Sequence, residues 1–344
     1  MKRVTLKDIA ESLDYHVSTI SLALKNHPRI PETTRNTIQE KAKEMGYSPD
    51  PQLSALVHYR NSKKKKKHFE KIAFLTHWPK EVDWNQFYSH NLFYTGAKEM
   101  AESMGYRLEI FSLREEGMSA RRMSDILISR GIRGILLSSI HRDIKSFDLD
   151  WGQFSSVRID LNPKELPIHT IRNDQVQGIR LAVKKLQDLG FKNKRIAFCL
   201  PSGLDEGIDH NWAMGYSWET RDWNHGTSIP VFHVEYENTE KVFLDWFLEN
   251  RPEVILAEST RYAEILLDNG FSIPDDVGFV TLDYHLKSSF TGIMQDHKEV
   301  GSAAFNFLHG MILRNERGLP ENPTTLLVPG RWIDGNSLFN SKTQ

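Results

Sequence analysis

The residues with the clearest chemical purpose lie near the amino terminus. The stretch Val17-Ser18-Thr19-Ile20-Ser21-Leu22 gathers three small hydroxyl side chains and contains no acid. Short hydroxyls let a helix backbone come close to base edges and phosphates, and an acid-free face is not repelled by them. This is chemistry of recognition rather than turnover. No GxSxG, P-loop, strand-borne GxGxxG or HExxH occurs in the sequence. The neighbours Asp209 and His210 read as loop polarity rather than as an acid and base pair. Cys199 is the single cysteine, which rules out an internal disulfide or a cysteine metal cluster and suits a reducing compartment.

Those hydroxyls need a scaffold, and the flanking pattern supplies one. In Leu6 to Leu13, apolar residues Leu6, Ile9, Ala10 and Leu13 recur at helical spacing, with Thr5 placed to cap the amino end. A second amphipathic helix covers residues 17–25, with Val17, Ile20, Ala23 and Leu24 on its inner face. Asp14-Tyr15-His16 is the three-residue connection, and Asp accepts a left-handed backbone better than most residues. A third helix runs through ETTRNTIQEKAKEM with Thr34, Ile38, Ala42 and Met45 inward, closed by Gly46. Two short helices joined by three residues and packed by a third match a helix-turn-helix unit. An ordinary three-helix bundle with one polar helix fits the spacing equally.

Charge separates the two readings. The 344 residues carry 44 Lys/Arg and 45 Asp/Glu, yet residues 1–68 hold 14 basic and 7 acidic side chains against 30 and 38 in the remainder. A basic front on an acidic body implies that only the front meets a polyanion. Beyond Pro49 and Pro51 a short apolar stripe of Leu53, Leu56 and Val57 is too small to fold alone. The run Lys63 to Lys67 is either a solvated spacer or a source of salt-sensitive, sequence-blind attraction to DNA. The amino terminus lacks the apolar core of a signal peptide, and no window approaches a membrane span. The expectation is a cytoplasmic protein with no membrane association.

From Lys71 onward strands and helices alternate in two series. KIAFLTH, RLEIFSL and GILLSS read as strands, and a second set contains RIAFCL, VFHVE, EVILAE and VGFVTLD. Such β-α order predicts parallel sheets covered on both faces, hence two doubly wound subdomains with a cleft between them. Ligands in such folds sit beyond the carboxyl ends of strands. The loop after the first strand carries Trp78 and Trp84. Those of the second series carry PSGLDEGIDHNW, ESTR and Asp283-Tyr284. Aromatic faces beside carboxylates and amides suit a sugar or nucleoside, while Trp212, Trp218, Trp223 and Trp246 also fit as plain core.

The segment VTLKDIAESL…VSTISLALKNHPRIPETTRNTIQEKAKEMGYSPDP resembles the headpiece of LacI/GalR-family bacterial transcription regulators. RGIRGILLSS, NDQVQGIRLAVKKLQDLGFKNKRIAF, NGFSIPDDVGFVTLDYH and SSFTGIMQDHKEVGSAAFNFL extend the resemblance over nearly the whole chain. It implies an all-α helix-turn-helix headpiece followed by an α/β, periplasmic-binding-protein-like body of two doubly wound subdomains crossed three times by the chain. The implied division is a headpiece at 1–48, a hinge helix and basic linker at 49–68, and an effector-binding and dimerisation domain at 69–344. Within the last, 69–161 goes with 292–322 and 162–291 with 323–344.

By that resemblance Thr5, Leu6, His16, Val17, Ser18, Thr19, Ser21, Leu22, Asn26, Arg29, Thr33, Tyr47, Leu53 and Leu56 form the DNA-binding set. Leu56 would be wedged into the minor groove at the centre of a near-palindromic double-stranded operator. The effector set is Trp78, Asp160, Trp212, Ser259, Asp283 and Gln295. Neither a cofactor nor a metal is implied. The chain departs from the family at several points. Asp14-Tyr15-His16 replaces Gly-Val-Ser, Ser21-Leu22 replaces Ser-Arg, Pro31 replaces a capping Ser, and Asp50 replaces Asn. A Leu cannot bind guanine bidentately as Arg does, so base preference at that step should differ. In the body Trp212 stands where Arg is usual, and Ser259-Thr260 where Asn-Asp is usual, which favours stacking over a strongly anionic ligand. The resulting expectation is a homodimeric repressor controlled by a sugar-like effector and not an enzyme. A regulator of the same fold without small-molecule response, and a cytoplasmic solute-binding protein, remain as alternatives.

Overall fold

The computed structural model describes residues 4–24, 29–47, 70–78, 83–140, 147–160, 166–223, 229–234 and 239–339. The stripe at Leu53 to Val57, the lysine run and Asn26 lie outside the described residues.

The head consists of α1 (Leu6–Leu13), α2 (Val17–Leu24) and α3 (Glu32–Glu44). Helix α1 starts in a capping box: the Thr5 hydroxyl accepts from the Asp8 backbone N–H, and the Asp8 carboxylate accepts from the Thr5 N–H at 2.6 Å. Asp14 takes the left-handed conformation at φ 54° and donates its N–H to Ala10, so it performs the turn expected of it. Pro31 leaves α3 without a side-chain cap, and Gly46 at φ 71° ends the helix as Tyr47 N–H returns to the Ala42 carbonyl. Ile9, Ala10, Ile20, Ala23, Ile38 and Ala42 form the buried centre of the head. Val17 departs from the expected inner stripe and is 38% exposed.

The body begins with β1 (Glu70–His77), followed by α4 (Tyr88–Ser103), β2 (Tyr106–Ser112), α5 (Ala120–Ser129), β3 (Gly134–Ile140), β4 (Ser155–Ile159) and β5 (His169–Asn173). The chain then runs through α6 (Gln175–Asp188), β6 (Ile196–Pro201), α7 (Ser202–Gly207), α8 (Asn211–Thr220) and β7 (Phe232–Val234). Next come α9 (Thr239–Asn250), β8 (Val254–Ala257), α10 (Arg261–Asp268), β9 (Gly278–Thr281) and β10 (Thr291–Met294). It ends with α11 (His297–Arg314), β11 (Thr325–Val328) and β12 (Arg331–Ile333). Two six-stranded sheets result, ordered β11-β5-β4-β3-β1-β2 and β12-β10-β9-β8-β6-β7. All pairings are parallel except β10 with β12. That antiparallel edge was not foreseen.

Each sheet is buried on both faces, as the near-continuous apolar strands require. Phe74, Leu136, Val157 and Ile171 of the first sheet pack toward α11, while Leu75, Ile135 and Leu137 face Met123 and Leu127 of α5. In the second sheet Phe198, Leu256 and Val280 meet Ile179 and Val183 of α6, and Ile255 and Phe279 meet Phe243 and Leu266. The chain crosses between sheets three times, at 174, 295–296 and 329–330, rather than at the expected 161–162, 291–292 and 322–323. The reason is that β5 and β11 both join the first sheet while β10 stays in the second. Both β5 and β11 are short, and β5 is mostly polar.

Helices α4 and α11 cross at glycines. A Cβ on Gly301 would collide with the backbone carbonyl of Phe93, and one on Gly96 with that of Lys298. Gly301→Ala is therefore expected to destabilise the fold by about 1–3 kcal/mol through overpacking, read as a lower urea midpoint with an unchanged slope. An unaltered midpoint would refute the close crossing.

Candidate functional site

The head offers a surface at the amino end of α2. The His16 ring Nδ1 accepts from the Ser18 backbone N–H at 3.3 Å and lies 2.7 Å from the Ser18 hydroxyl, so His16 caps the helix that the family usually caps with Ser. His16, Val17 and Ser18 are exposed, and Thr19, Ser21 and Leu22 are half-buried beside them. Arg29 and Thr33 are exposed, whereas Leu6 and Tyr47 pack against the head core, and Thr5 is engaged in the cap of α1. Asn26, Leu53 and Leu56 fall outside the described residues.

The body offers a cleft at the carboxyl ends of the strands. Asp283, just past β9, places Oδ1 2.8 Å from Nε2 of His297, the first residue of α11. The other His297 nitrogen lies 3.0 Å from Asn173 Oδ1. The orientation of that amide is fixed because Asn173 donates its Nδ2 to the Gln295 carbonyl. Both imidazole nitrogens thus face acceptors, and this is the arrangement of a protonated ring. Burial disfavours charge on both partners, yet the Asp283 carboxylate raises the His297 pKa. His297, with help from His285, holds the Asp283 carboxyl well below the ordinary range. Gln295 is buried and donates to the Leu282 carbonyl at 3.0 Å.

The first subdomain brings its own wall to this cluster. Trp78, half-buried after β1, lies against Phe87 and His90 with ring centres 5.0 and 5.1 Å away. Asp160, at φ 65° after β4, is close enough to influence both His90 and His297 electrostatically. The rims touch directly: the Tyr88 ring stacks on His285 at 3.9 Å, and its hydroxyl accepts from the Leu286 N–H at 3.2 Å. At the crossings a narrow recess is lined by Asn173, Gln175, Trp212, Leu282, Gln295 and Gly330.

Of the expected effector set, Asp283 and Gln295 share one hydrogen-bonded network with Asn173 and His297, and Asp160 is its electrostatic neighbour. Trp212 is nearly buried and divides its surface between core and recess. Ser259 donates to Glu258 Oε1 at 3.1 Å, tying together the side chains of the first two residues past β8. Burial pushes the Glu258 carboxyl up to about 7. Glu258, Asn173, His285, His297 and Tyr88 had no motif to mark them, although Glu258 and His297 stand at element ends. Trp84 belongs to the core with Phe74 and Tyr94. Trp218 does not: it is 63% exposed under the Arg221 guanidinium. His210 pairs with the buried Asp205 at 2.7 Å, as does His233 at 2.9 Å, rather than with its neighbour Asp209. Among the described residues no group of His, Cys, Asp and Glu could hold a metal, and no helix is long and apolar enough to cross a membrane.

A small helical head thus precedes a two-lobed α/β body with polar groups where the lobes meet. The comparisons agree. Residues 183–338 match the periplasmic binding protein-like domain. The HTH-type transcriptional regulator DegA of Bacillus subtilis is 22% identical, with 96% of this chain and 97% of DegA aligned. The HTH-type transcriptional repressor CytR of Escherichia coli is 29% identical over 62% of this chain and 58% of CytR. Among solved structures, a transcriptional regulator CelR–cellobiose complex superposes with a TM-score of 0.58 at 17% identity, covering 97% of this chain and all of that one. The Lac repressor dimer bound to operator and an anti-inducer gives 0.56 at 17% identity, covering 98% and 99%. The chain is related to HTH-type transcriptional regulators along nearly its whole length and has the fold of LacI-family repressors.

The cluster predicts a pH dependence of stability. The folded pKa of His297 is raised, so its contribution is complete below about pH 6.5 and is lost as pH climbs through the raised value. Asp283 is depressed; its share is present above about pH 4 and fades only below that. Glu258 is raised from 4.5 to about 7, so forming its buried charge removes stability across that interval. The protein should be more stable at pH 5 than at pH 8.5 by about 2 kcal/mol or more. His297→Gln should flatten the upper part of the decline and Glu258→Gln the lower part. Urea unfolding at several pH values tests this, and identical pH profiles for wild type and both variants would refute it.

Proposed function

We propose that this chain is a sequence-specific DNA-binding transcription repressor whose operator affinity is set by a sugar-like effector in the cleft of its body. Its observational basis is one chain that joins an acid-free, helix-presented hydroxyl surface to two lobes tied by an ionised cluster at their crossings. A ligand that changes the Asp283–His297–Asn173 geometry changes how the lobes meet, and it shifts the operator equilibrium by its unequal affinity for the two arrangements. Such coupling needs no chemical step, and the relatives are transcription regulators rather than enzymes. The DNA-binding set, the effector set and the division at 1–48, 49–68 and 69–344 belong to this reading. The protein works as a homodimer, because two heads related by a two-fold axis match a near-palindromic operator. The Lac repressor structure, a dimer on its operator, supports that arrangement, and cellobiose and ribose complexes of structural neighbours support a sugar-like effector.

Selection of bound fragments from random duplex, followed by footprinting, should give a near-palindromic site whose affinity falls steeply with salt. Indifference to sequence at every salt concentration would end the proposal. Leu56→Ala is expected to weaken that specific binding about tenfold or more by removing the wedge, with the thermal shift caused by an effector left unchanged. A bound effector at a hundred times its dissociation constant should stabilise the protein by about 2.7 kcal/mol.

A further inference from the structure

In the second sheet the chain starts at β6, lays β7 on one side and then β8 on the other. The connections diverge there, so a crevice opens between the carboxyl ends of β6 and β8, the standard ligand position in an open α/β sheet. Glu258 is the first residue past β8, at the carboxyl end of the strand whose Ala257 pairs with Cys199 of β6. One of its oxygens accepts from the Ser259 hydroxyl. The other, Oε2, is buried and has no hydrogen-bond partner among the described residues. Across the crevice, in the helix following β6, Asp205 likewise has one buried oxygen without a partner while the other serves His210 and His233.

The neighbouring charges compensate Glu258 only in part. His297 and His285 are turned to Asp283, and Arg261, exposed on α10, favours the Glu258 charge without outweighing its burial. Protonation would not cure the defect. It replaces an unpaired charge with an unpaired hydroxyl donor, and a buried polar atom of either kind is costly. The position of a buried acceptor at the ligand crevice, with aromatic Trp212 on a neighbouring helix, indicates what is to fill it.

We propose that Glu258 is the specificity-determining residue of the cleft and that the effector carries a protonated amine, as an amino sugar does, which binds the Glu258 carboxylate. This rests on the effector reading above and narrows it from sugar-like molecules to cationic ones. A bound ammonium would give Oε2 its missing donor and Glu258 the rest of its counter-charge at once. A neutral sugar can supply only the donor, and an anionic one supplies charge of the wrong sign.

The test uses the purified full chain and matched probes: glucose with glucosamine, cellobiose with the fully deacetylated chitin disaccharide, and glucose 6-phosphate as the anionic member. Calorimetric titration should find at least one amino sugar binding tenfold or more tightly than its neutral twin. In Glu258→Gln, shown by its melting curve to be folded, that preference should shrink to twofold or less. Equal or tighter binding of the neutral twin, or an unchanged preference in Glu258→Gln, overturns this inference and leaves the effector cleft standing. No binding by any probe, with operator affinity unmoved by all of them, sinks the effector reading and this inference together.

Discussion

The ion pair between Asp283 and His297 is the constraint around which the body is organised. Asp283 belongs to the second sheet and His297 opens the longest helix packed on the first, so the pair ties the two lobes at one of the points where the chain passes between them. One buried and one half-buried charge are tolerated here because each is answered: His297 by Asp283 and the Asn173 amide, Asn173 by the Gln295 carbonyl, and Gln295 by Leu282. A network of this kind has few alternative arrangements. It favours one relation between the lobes over a continuum of them. A positively charged ring at the amino end of a helix runs against the helix dipole, which makes the carboxylate indispensable to it.

The head solves a separate problem with local means. Its buried centre is six small or medium apolar side chains, so it leans on caps and turns for definition. Thr5 and Asp8 close the start of α1, Asp14 makes the turn, and His16 replaces the usual Ser in front of α2. The imidazole cap has a cost in reach: the Ser18 hydroxyl that faces solvent is also held by His16, so any contact it makes outward must share that hydroxyl. The head therefore presents a more sterically crowded helix start than its relatives' pattern implies.

Much of this was legible in the sequence, and the exceptions share a cause. Helices with strong 3.6-residue periodicity, such as α1, α5 and α10, and strands that are continuous apolar runs, such as β1 and β6, were evident because their own residues encode their burial. Strands β5 (HTIRN) and β11 (TLLV) were not, because each is short and its place is set by its neighbours in the sheet, β5 between β4 and β11 and β11 against β5. Misplacing them moved the chain crossings by several residues. The cleft was found in outline from the position of loops after strands. Asp283 was legible from its place in a loop after a strand, and Gln295 only through family resemblance. Glu258 was hidden because it looks like the last residue of a strand, and His297 because a helix start with no neighbouring motif gives no sign of what it faces across space. Trp218, read as core from its residue type, lies outside because α8 has almost no preferred apolar side and buries Trp212 and Tyr216 instead.

The contact between Tyr88 and the His285-Leu286 loop has a kinetic side. It bridges the rims above the polar cluster, joining the two lobes by one ring stacking and one hydrogen bond. A ligand binding between the lobes, as proposed, would need that bridge to part, and its apparent affinity would be its intrinsic affinity reduced by the fraction of molecules with the bridge open. On the proposed effector reading, one stacking contact and one hydrogen bond at the rim would enter the ligand threshold alongside the fit of the interior.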